Sequence, residues 1–199
     1  MFLGNEETGN NLKSLYIMKT EDRKNFDKSY PLYLACGLKD RFRTSMHYIM
    51  FSNGYAYATD SHILVRARLT DISNFDEQDL LLLDGKFIHA DNFKKIVGSK
   101  GEVSITSDAI VVKEAEYQVA YPLKAKESVN FPDCETVMNR KDDLSLQTKF
   151  GISAEYLFIL SEVMGNYNVV MEWRTNQMLV VTPIGKNVDI KGVIMTKLI

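Results

Sequence analysis

The sequence predicts an α+β fold of three βαβββ units, with the helices on one face of antiparallel sheets. Three observations carry this. Helix-period segments recur about every 60 residues. Each is followed by three apolar runs joined by turn residues. Each is preceded by a short apolar run that reads as the leading strand.

The first unit has a leading strand at 15–18 and a helix over 31–42, with Pro31 near its first turn. Strands at 46–51, 55–59 and 62–67 follow. The first two are joined by Asn53-Gly54, a pair that adopts the left-handed conformations of a two-residue hairpin. The second unit has an apolar run at 80–83 continued by Phe87-Ile88, a helix over 90–97 ending at Gly98, and strands at 102–106, 109–113 and 117–121. The third has a leading strand at 144–148 with Phe150, then a helix over 153–165. Ser153 suits its N-cap, Glu155 its positively polarised first turn, and Gly165 the position just past its end. Strands at 169–173, 178–182 and 188–195 complete it. Residues 14–138 thus form a domain of two units and 144–199 a half domain of one, with 1–13 an N-terminal extension. The charged segment Asn139-Arg140-Lys141-Asp142-Asp143 reads as a solvated connector, and Asp76-Glu77-Gln78-Asp79 reads the same way.

Composition limits the function classes. With 199 residues and 45% hydrophobic content, the chain can bury a core without disulfides or a structural metal. Charged residues at 25% and aromatics at 11% exclude a disordered or low-complexity chain. A net charge of −2 excludes a globally basic nucleic-acid binder but allows a local basic face. Cys36 and Cys134 have no metal-ligand spacing and read as reduced thiols of a cytoplasmic protein. No membrane partner is expected: the start, Met1-Phe2-Leu3-Gly4-Asn5-Glu6-Glu7, lacks the basic and apolar regions of a signal peptide, and no apolar run approaches about 20 residues.

Chemistry-bearing motifs are sparse. Thr59-Asp60-Ser61-His62 suggests a hydrolase, but neighbours on an extended segment point to opposite faces and cannot form a relay. No nucleophile elbow, Walker loop or dinucleotide fingerprint is present. His47, His62 and His89 are scattered, and His47 and His89 read as surface or packing residues. The expectation is a non-enzyme with no cofactor and no metal.

Three segments carry a family resemblance. Ala58-Thr59-Asp60-Ser61-His62-Ile63-Leu64 is similar to a segment running Ala-Thr-Asp-Gly-His-Arg-Leu in the bacterial DNA sliding clamp, the beta subunit of DNA polymerase III. Asn130-Phe131-Pro132-Asp133-Cys134-Glu135-Thr136-Val137-Met138 resembles the Phe-Pro-Asp-Tyr segment that closes the clamp's second domain. Val193-Ile194-Met195-Thr196-Lys197-Leu198-Ile199 resembles the clamp's C-terminus. Phe150-Gly151-Ile152-Ser153-Ala154-Glu155-Tyr156-Leu157 is similar to the entry of the last clamp helix. Together these cover residues 14–199 and correspond to the clamp's second domain and the back half of its third. Ser61 stands in place of glycine, Ile63 of arginine and Thr196 of proline.

The resemblance implies a DNA-clamp-like fold and a non-catalytic role in DNA replication or repair, docking peptides of polymerases and repair proteins. By position, the peptide pocket uses Thr59, Ser61, His62, Ile63 and Leu64; Pro132, Thr136 and Val137; and Val193, Met195, Thr196, Lys197, Leu198 and Ile199. Contact with double-stranded DNA is expected from Lys39, Arg41 and Arg43 at the end of the first helix and from Lys94, Lys95 and Lys100 around the second. The third helix carries Glu155 and Glu162 and no basic residue, which leaves open a clamp-scaffold adaptor that binds no DNA. The third unit has no internal counterpart to pair with. Its face of Tyr156, Leu160, Val163 and Met164 is therefore expected to associate with a second copy, giving at least a dimer. Clamp rings close with twelve such units, so four chains of three units would suffice for a ring.

Overall fold

The computed structural model describes residues 23–139, 150–174, 177–185 and 187–198. The expected leading strands at 15–18 and 144–148, the connector beyond Asn139, and Ile199 lie outside these residues.

The first unit departs from expectation at its helix. Residues 31–42 form only a 3-10 turn, Leu32–Ala35, after which Cys36 is extended. The reason is a close approach at Gly37. Its N–H donates to the Met46 carbonyl at 3.0 Å, and a Cβ there would lie 3.2 Å from Met46 Cβ and 3.3 Å from Asp60 Cα. A continuing helix cannot run through that contact. Lys39, Arg41 and Arg43 therefore lie on a loop, not at a helix end. A second 3-10 turn, Thr44–His47, leads into the hairpin β1 (Tyr48–Ser52) and β2 (Tyr55–Thr59), then β3 (Ile63–Arg68). Asn53 (φ 52°) and Gly54 (φ 77°) make the left-handed two-residue turn, with Ser52 facing Tyr55.

A short helix, α1 (Leu69–Ile72), precedes α2 (Glu77–Leu83). The latter overturns two readings. Residues 80–83 are helical rather than a strand, and the acidic run before them is a helix start rather than a solvated linker. Asp76 accepts the Asp79 N–H at 3.0 Å, and Asp79 accepts the Asp76 N–H at 3.4 Å, a reciprocal cap. Lys24 Nζ bridges both carboxylates at 2.5 and 2.6 Å. Four consecutive leucines fit strand or helix by periodicity alone, and the cap decides between them.

The rest of the second unit is β4 (Lys86–His89), α3 (Ala90–Gly98), β5 (Glu102–Ile105), β6 (Ala109–Glu114), β7 (Tyr117–Pro122) and the short β8 (Lys124–Ala125). The segment α4 (Cys134–Asn139) follows. The third unit comprises β9 (Phe150–Gly151), α5 (Ala154–Val163), β10 (Val169–Arg174), β11 (Met178–Pro183) and β12 (Ile190–Met195), then β13 (Lys197–Leu198). Ser153 occupies the N-cap of α5 but its hydroxyl makes no capping bond. Gly165 (φ 57°) takes the left-handed position after the helix.

Every strand pair among the described residues is antiparallel. Among the described residues the main sheet runs β10-β11-β12-β3-β2-β1-β4-β8; β5-β6-β7 form a second sheet, and β9 pairs with β13. The decisive joint is β12 against β3, where Ile194 faces Ile63 and Val193 faces Leu64. The third unit thus continues the first unit's sheet within one chain. Its helix is likewise partnered: α5 packs on the Leu32–Ala35 turn and on β12, and Leu160, Val163 and Met164 are fully buried. The expectation that this face lacks an internal partner is wrong. The partner that the third unit needs is supplied inside the chain, where the edge of β3 takes β12. Gly192 permits the contact, since a Cβ there would meet both Leu160 methyls and Met164 Cε at 2.8 Å.

Strand alternation gives the main sheet two apolar faces. Ile49, Phe51, Ala58, Ile63, Val65, Leu179 and Ile194 point to the helix side and join the principal core. Their neighbours Tyr57, Leu64, Met178 and Val193 point to the other side, where Phe131, Cys134, Val137 and Met138 cover them.

Candidate functional site: a cleft where three segments meet

The corner between β2 and β3 is built from side chain to backbone bonds. Thr59 Oγ1 donates to the Ile63 carbonyl at 2.6 Å and accepts from the Ser61 N–H at 3.0 Å. Asp60 Oδ1 accepts from the N–H groups of His62 and Ile63, both at 2.8 Å. Asp60 is thereby a turn former, 4.0 Å from His62 Nδ1, and the Ser61 hydroxyl accepts from Arg43. The arrangement is no catalytic relay.

This corner turns His62 outward and sets Ile63 and Leu64 against β12. The Met195 N–H donates to the His62 carbonyl at 2.8 Å, tying the corner to the end of β12. From the other side comes the 132–137 segment. Asp133 accepts from the Thr136 N–H at 3.0 Å and hydroxyl at 2.6 Å, starting α4. Those two bonds, hydroxyl first, hold the Asp133 carboxyl below its usual range. Burial, with Asp133 adjacent, pushes the Cys134 thiol up to about 12, so it is an inert apolar wall.

The three segments enclose a cleft of about 190 Å³. Thr59, Ser61, His62, Ile63, Leu64, Pro132, Val137, Val193 and Met195 all line it. Thr136 and Thr196 do not. Thr136 is committed to Asp133, and Thr196 is buried with its N–H and hydroxyl both donating to the Gln177 carbonyl, at 2.7 and 3.0 Å. A proline at this position could supply neither bond. Lys197 and Leu198 leave the cleft in β13, paired with Gly151 and Phe150, and Ile199 is outside the described residues.

Sequence reading missed Met46 and Cys134 in the lining and a second cavity beside the first. That cavity, about 500 Å³, lies between Gly151, Ile152, Ser153, Glu155 and Tyr156, and shares His62 and Met195 with the cleft. The His62 ring stacks on Tyr156 at 5.7 Å between centroids and 18° between planes. Tyr156 had been assigned to the packing face of its helix, and only the β3–β12 joint brings it to His62.

The six basic candidates fall in two groups. Lys39, Arg41 and Arg43 lie on the loop after the 3-10 turn, and Lys39 and Arg43 share a cavity with Lys94 of α3. Lys94 Nζ sits 5.6 Å from the centre of the Tyr33 ring. Lys95 and Lys100 lie further along, and the Lys100 carbonyl accepts from Arg23.

This architecture matches solved bacterial sliding clamps. The beta subunit of DNA polymerase III from Borrelia burgdorferi, solved with a natural product, superposes with a TM-score of 0.59 at 12% identity over 92% of this chain and 66% of that one. The chain has the sliding-clamp fold. The Helicobacter pylori beta clamp, solved with 3,4-difluorobenzamide, gives 0.62 at 10% identity over 89% and 65% of the two chains. The Bacillus subtilis sliding clamp gives 0.60 at 9% identity over 91% and 66%. The chain spans slightly less than two thirds of the length of these clamps. No family model and no curated protein sequence matches it. Among the described residues, no helix is long and apolar enough to cross a membrane.

Proposed function

We propose that this chain is a non-catalytic peptide-docking module on the clamp fold that also contacts duplex DNA. One observation carries the reading: three segments far apart in sequence meet in a single apolar cleft beside a ring-stacked His62. At about 190 Å³ the cleft accepts one or two apolar side chains. A drug-sized metabolite needs roughly 300–1,000 Å³, so an extended peptide with an apolar anchor is the fitting ligand. The adjoining cavity at Tyr156 gives a second anchor its place.

The test is fluorescence anisotropy with a labelled peptide carrying the binding motif of a replicative polymerase. Met195 is 45% exposed and His62 projects from the corner, so neither supports the core. Met195→Ala and His62→Ala should each weaken binding about tenfold or more, the scale of an interface anchor, with an unchanged melting temperature. Wild-type affinity in both variants would remove the cleft from the proposal. Removing residues 197–199 is a poorer test, because it also removes the β9–β13 pairing.

DNA contact is proposed at Lys39, Arg41, Arg43, Lys94, Lys95 and Lys100, through phosphate attraction that weakens steeply with salt. The acidic face of α5, with Glu155 and Glu162, favours a second reading: an adaptor on this scaffold that binds peptides without encircling DNA. Retention on closed circular DNA with release on linearisation separates the two. Self-association belongs to the first reading, through the sheet edges rather than α5, because β7 and β10 each have a strand on one side only among the described residues.

A further inference from the structure

Phe42 is the most exposed large hydrophobic side chain among the described residues, at 97% against 76% for Leu81. One exposed phenyl on a loose loop would carry no information. This loop is braced. Asp40 Oδ1 accepts from the N–H groups of Phe42 at 2.9 Å and Arg43 at 3.1 Å, and its other oxygen accepts from Arg43 Nε at 2.7 Å. The Asp40 N–H donates to the Gly37 carbonyl at 2.9 Å, and the Asp40 carbonyl accepts from His47 Nε2 at 2.8 Å. Arg43 also donates to Ser61 Oγ, tying the loop to the β2–β3 corner. The ring is therefore held out in water by a fixed backbone.

The loop itself carries unpaired cations. Asp40 neutralises Arg43, but the exposed Lys39 and Arg41 have no ion-pair partner among the described residues. Lys94 of α3 faces the same loop across a cavity of about 520 Å³. The opposing carboxylates there are Asp60, which caps the β2–β3 corner, Asp91, 3.7 Å from His89 Nδ1, and Glu155.

A braced aromatic tip on a loop with two unpaired cations suits a ligand that offers a flat π face and nearby phosphates. We propose that the loop 39–43 is a contact for unpaired nucleotides, with Phe42 stacking on a base and Lys39 and Arg41 meeting the flanking phosphates. The site deepens the DNA-contact reading above and rests on it. A phenyl makes no hydrogen bonds, so the contact is indifferent to base identity. A paired base must first be unstacked, so the tip favours DNA with a single-stranded stretch beside the duplex. A lipid surface is disfavoured because insertion needs a broad apolar face. The exposed leucines Leu34 and Leu38, at 40% and 36%, line the cavity with Tyr33 and Ile159, whereas Phe42 does not.

The experiment measures anisotropy of the full chain with a labelled, fully paired duplex and the same duplex bearing an oligo-dT tail. Phe42→Ala should weaken the tailed DNA roughly tenfold, the loss of one base stack, and leave the paired duplex unaffected. Phe42→Trp should restore the tailed affinity. Joint replacement of Lys94 and Lys95 by alanine should weaken both DNAs alike and flatten the salt dependence. If wild type and Phe42→Ala bind the tailed DNA equally well, the stacking site is wrong and the DNA reading stands. If wild type binds neither DNA, both fail. Binding to phosphatidylserine vesicles that Phe42→Ala abolishes, without any tail preference on DNA, would reassign the tip to a lipid surface.

Discussion

Ser61 holds a left-handed backbone, φ 79°, at the tip of the β2–β3 corner. Glycine adopts that region without penalty and serine does not. The serine hydroxyl accepts a bond from Arg43 in partial return. Ser61→Gly should therefore raise stability by up to about 1 kcal/mol in equilibrium denaturation, since strain at such positions costs roughly 1–3 kcal/mol and glycine's unfolded-state entropy takes some back. Asp189, just before β12, works in the opposite sense. Its carboxylate accepts from Tyr55 Oη at 2.9 Å and Arg68 at 2.7 Å, and its N–H donates to Asp71 at 2.7 Å. Burial pushes this carboxyl up, but the bonds from Tyr55 and Arg68 outweigh it and the net direction is down. A lowered folded-state value means the stabilisation is complete above the ordinary aspartate pKa of about 3.9 and is lost as pH falls through the folded value. Asp189→Asn should flatten the acid limb of a stability profile taken below about pH 5. Asp189→Ala should cost about 1.5–3 kcal/mol at neutral pH, the scale of hydrogen bonds to a charged group.

At the scale of elements, α5 decides whether the third unit stands alone. Leu160 is fully buried between the Leu32–Ala35 turn and Gly192 of β12. Leu160→Ala should destabilise the chain by about 2–5 kcal/mol, the usual range for a core leucine. The loss should be independent of protein concentration. A melting temperature that rose with concentration in wild type, and lost that dependence in Leu160→Ala, would restore the pairing of third units across a two-fold axis. The 3-10 turn teaches the same lesson from the other side. Leu32 and Ala35 have apolar spacing that a long helix could also use, yet the turn stops where Gly37 meets Asp60.

For the whole molecule, the consequence of the β3–β12 joint is where the free edges fall. Pairing inside the chain removes one pair of edges and leaves β10 at the end of the main sheet, with Val170 45% and Met171 51% exposed. An edge strand with such exposed apolar side chains is a template for pairing with another strand. Light scattering should report more than one chain per particle at micromolar concentration, and Met171→Lys should shift the mass toward the monomer without changing the fold. A monomeric wild type would end the self-association part of the proposed function and leave the cleft untouched.

The sequence by itself determined most strand positions and the hairpin at Asn53-Gly54, because period-two alternation and left-handed turn residues are local signals. The three segments that line the cleft were marked by their resemblance to clamp segments and not by periodicity or turn signals, since read by itself Thr59-Asp60-Ser61-His62 suggested only a relay that cannot form. Two helical assignments went astray for different reasons. Four leucines in a row fit strand or helix equally, and the Asp76–Asp79 cap that decides between them reads as an exposed acidic run until its bonds are seen; the helix expected over 31–42 was cut short by a contact with a residue more than twenty positions away. Only the tertiary structure decided that β12 adds to β3, that α5 is buried within its own chain, and that Tyr156 stacks on His62. Each of those depends on which of several compatible edges and faces meet. Burial energy is nearly proportional to apolar area and indifferent to partner, so a pattern of apolar residues states that a face must be covered without stating by what.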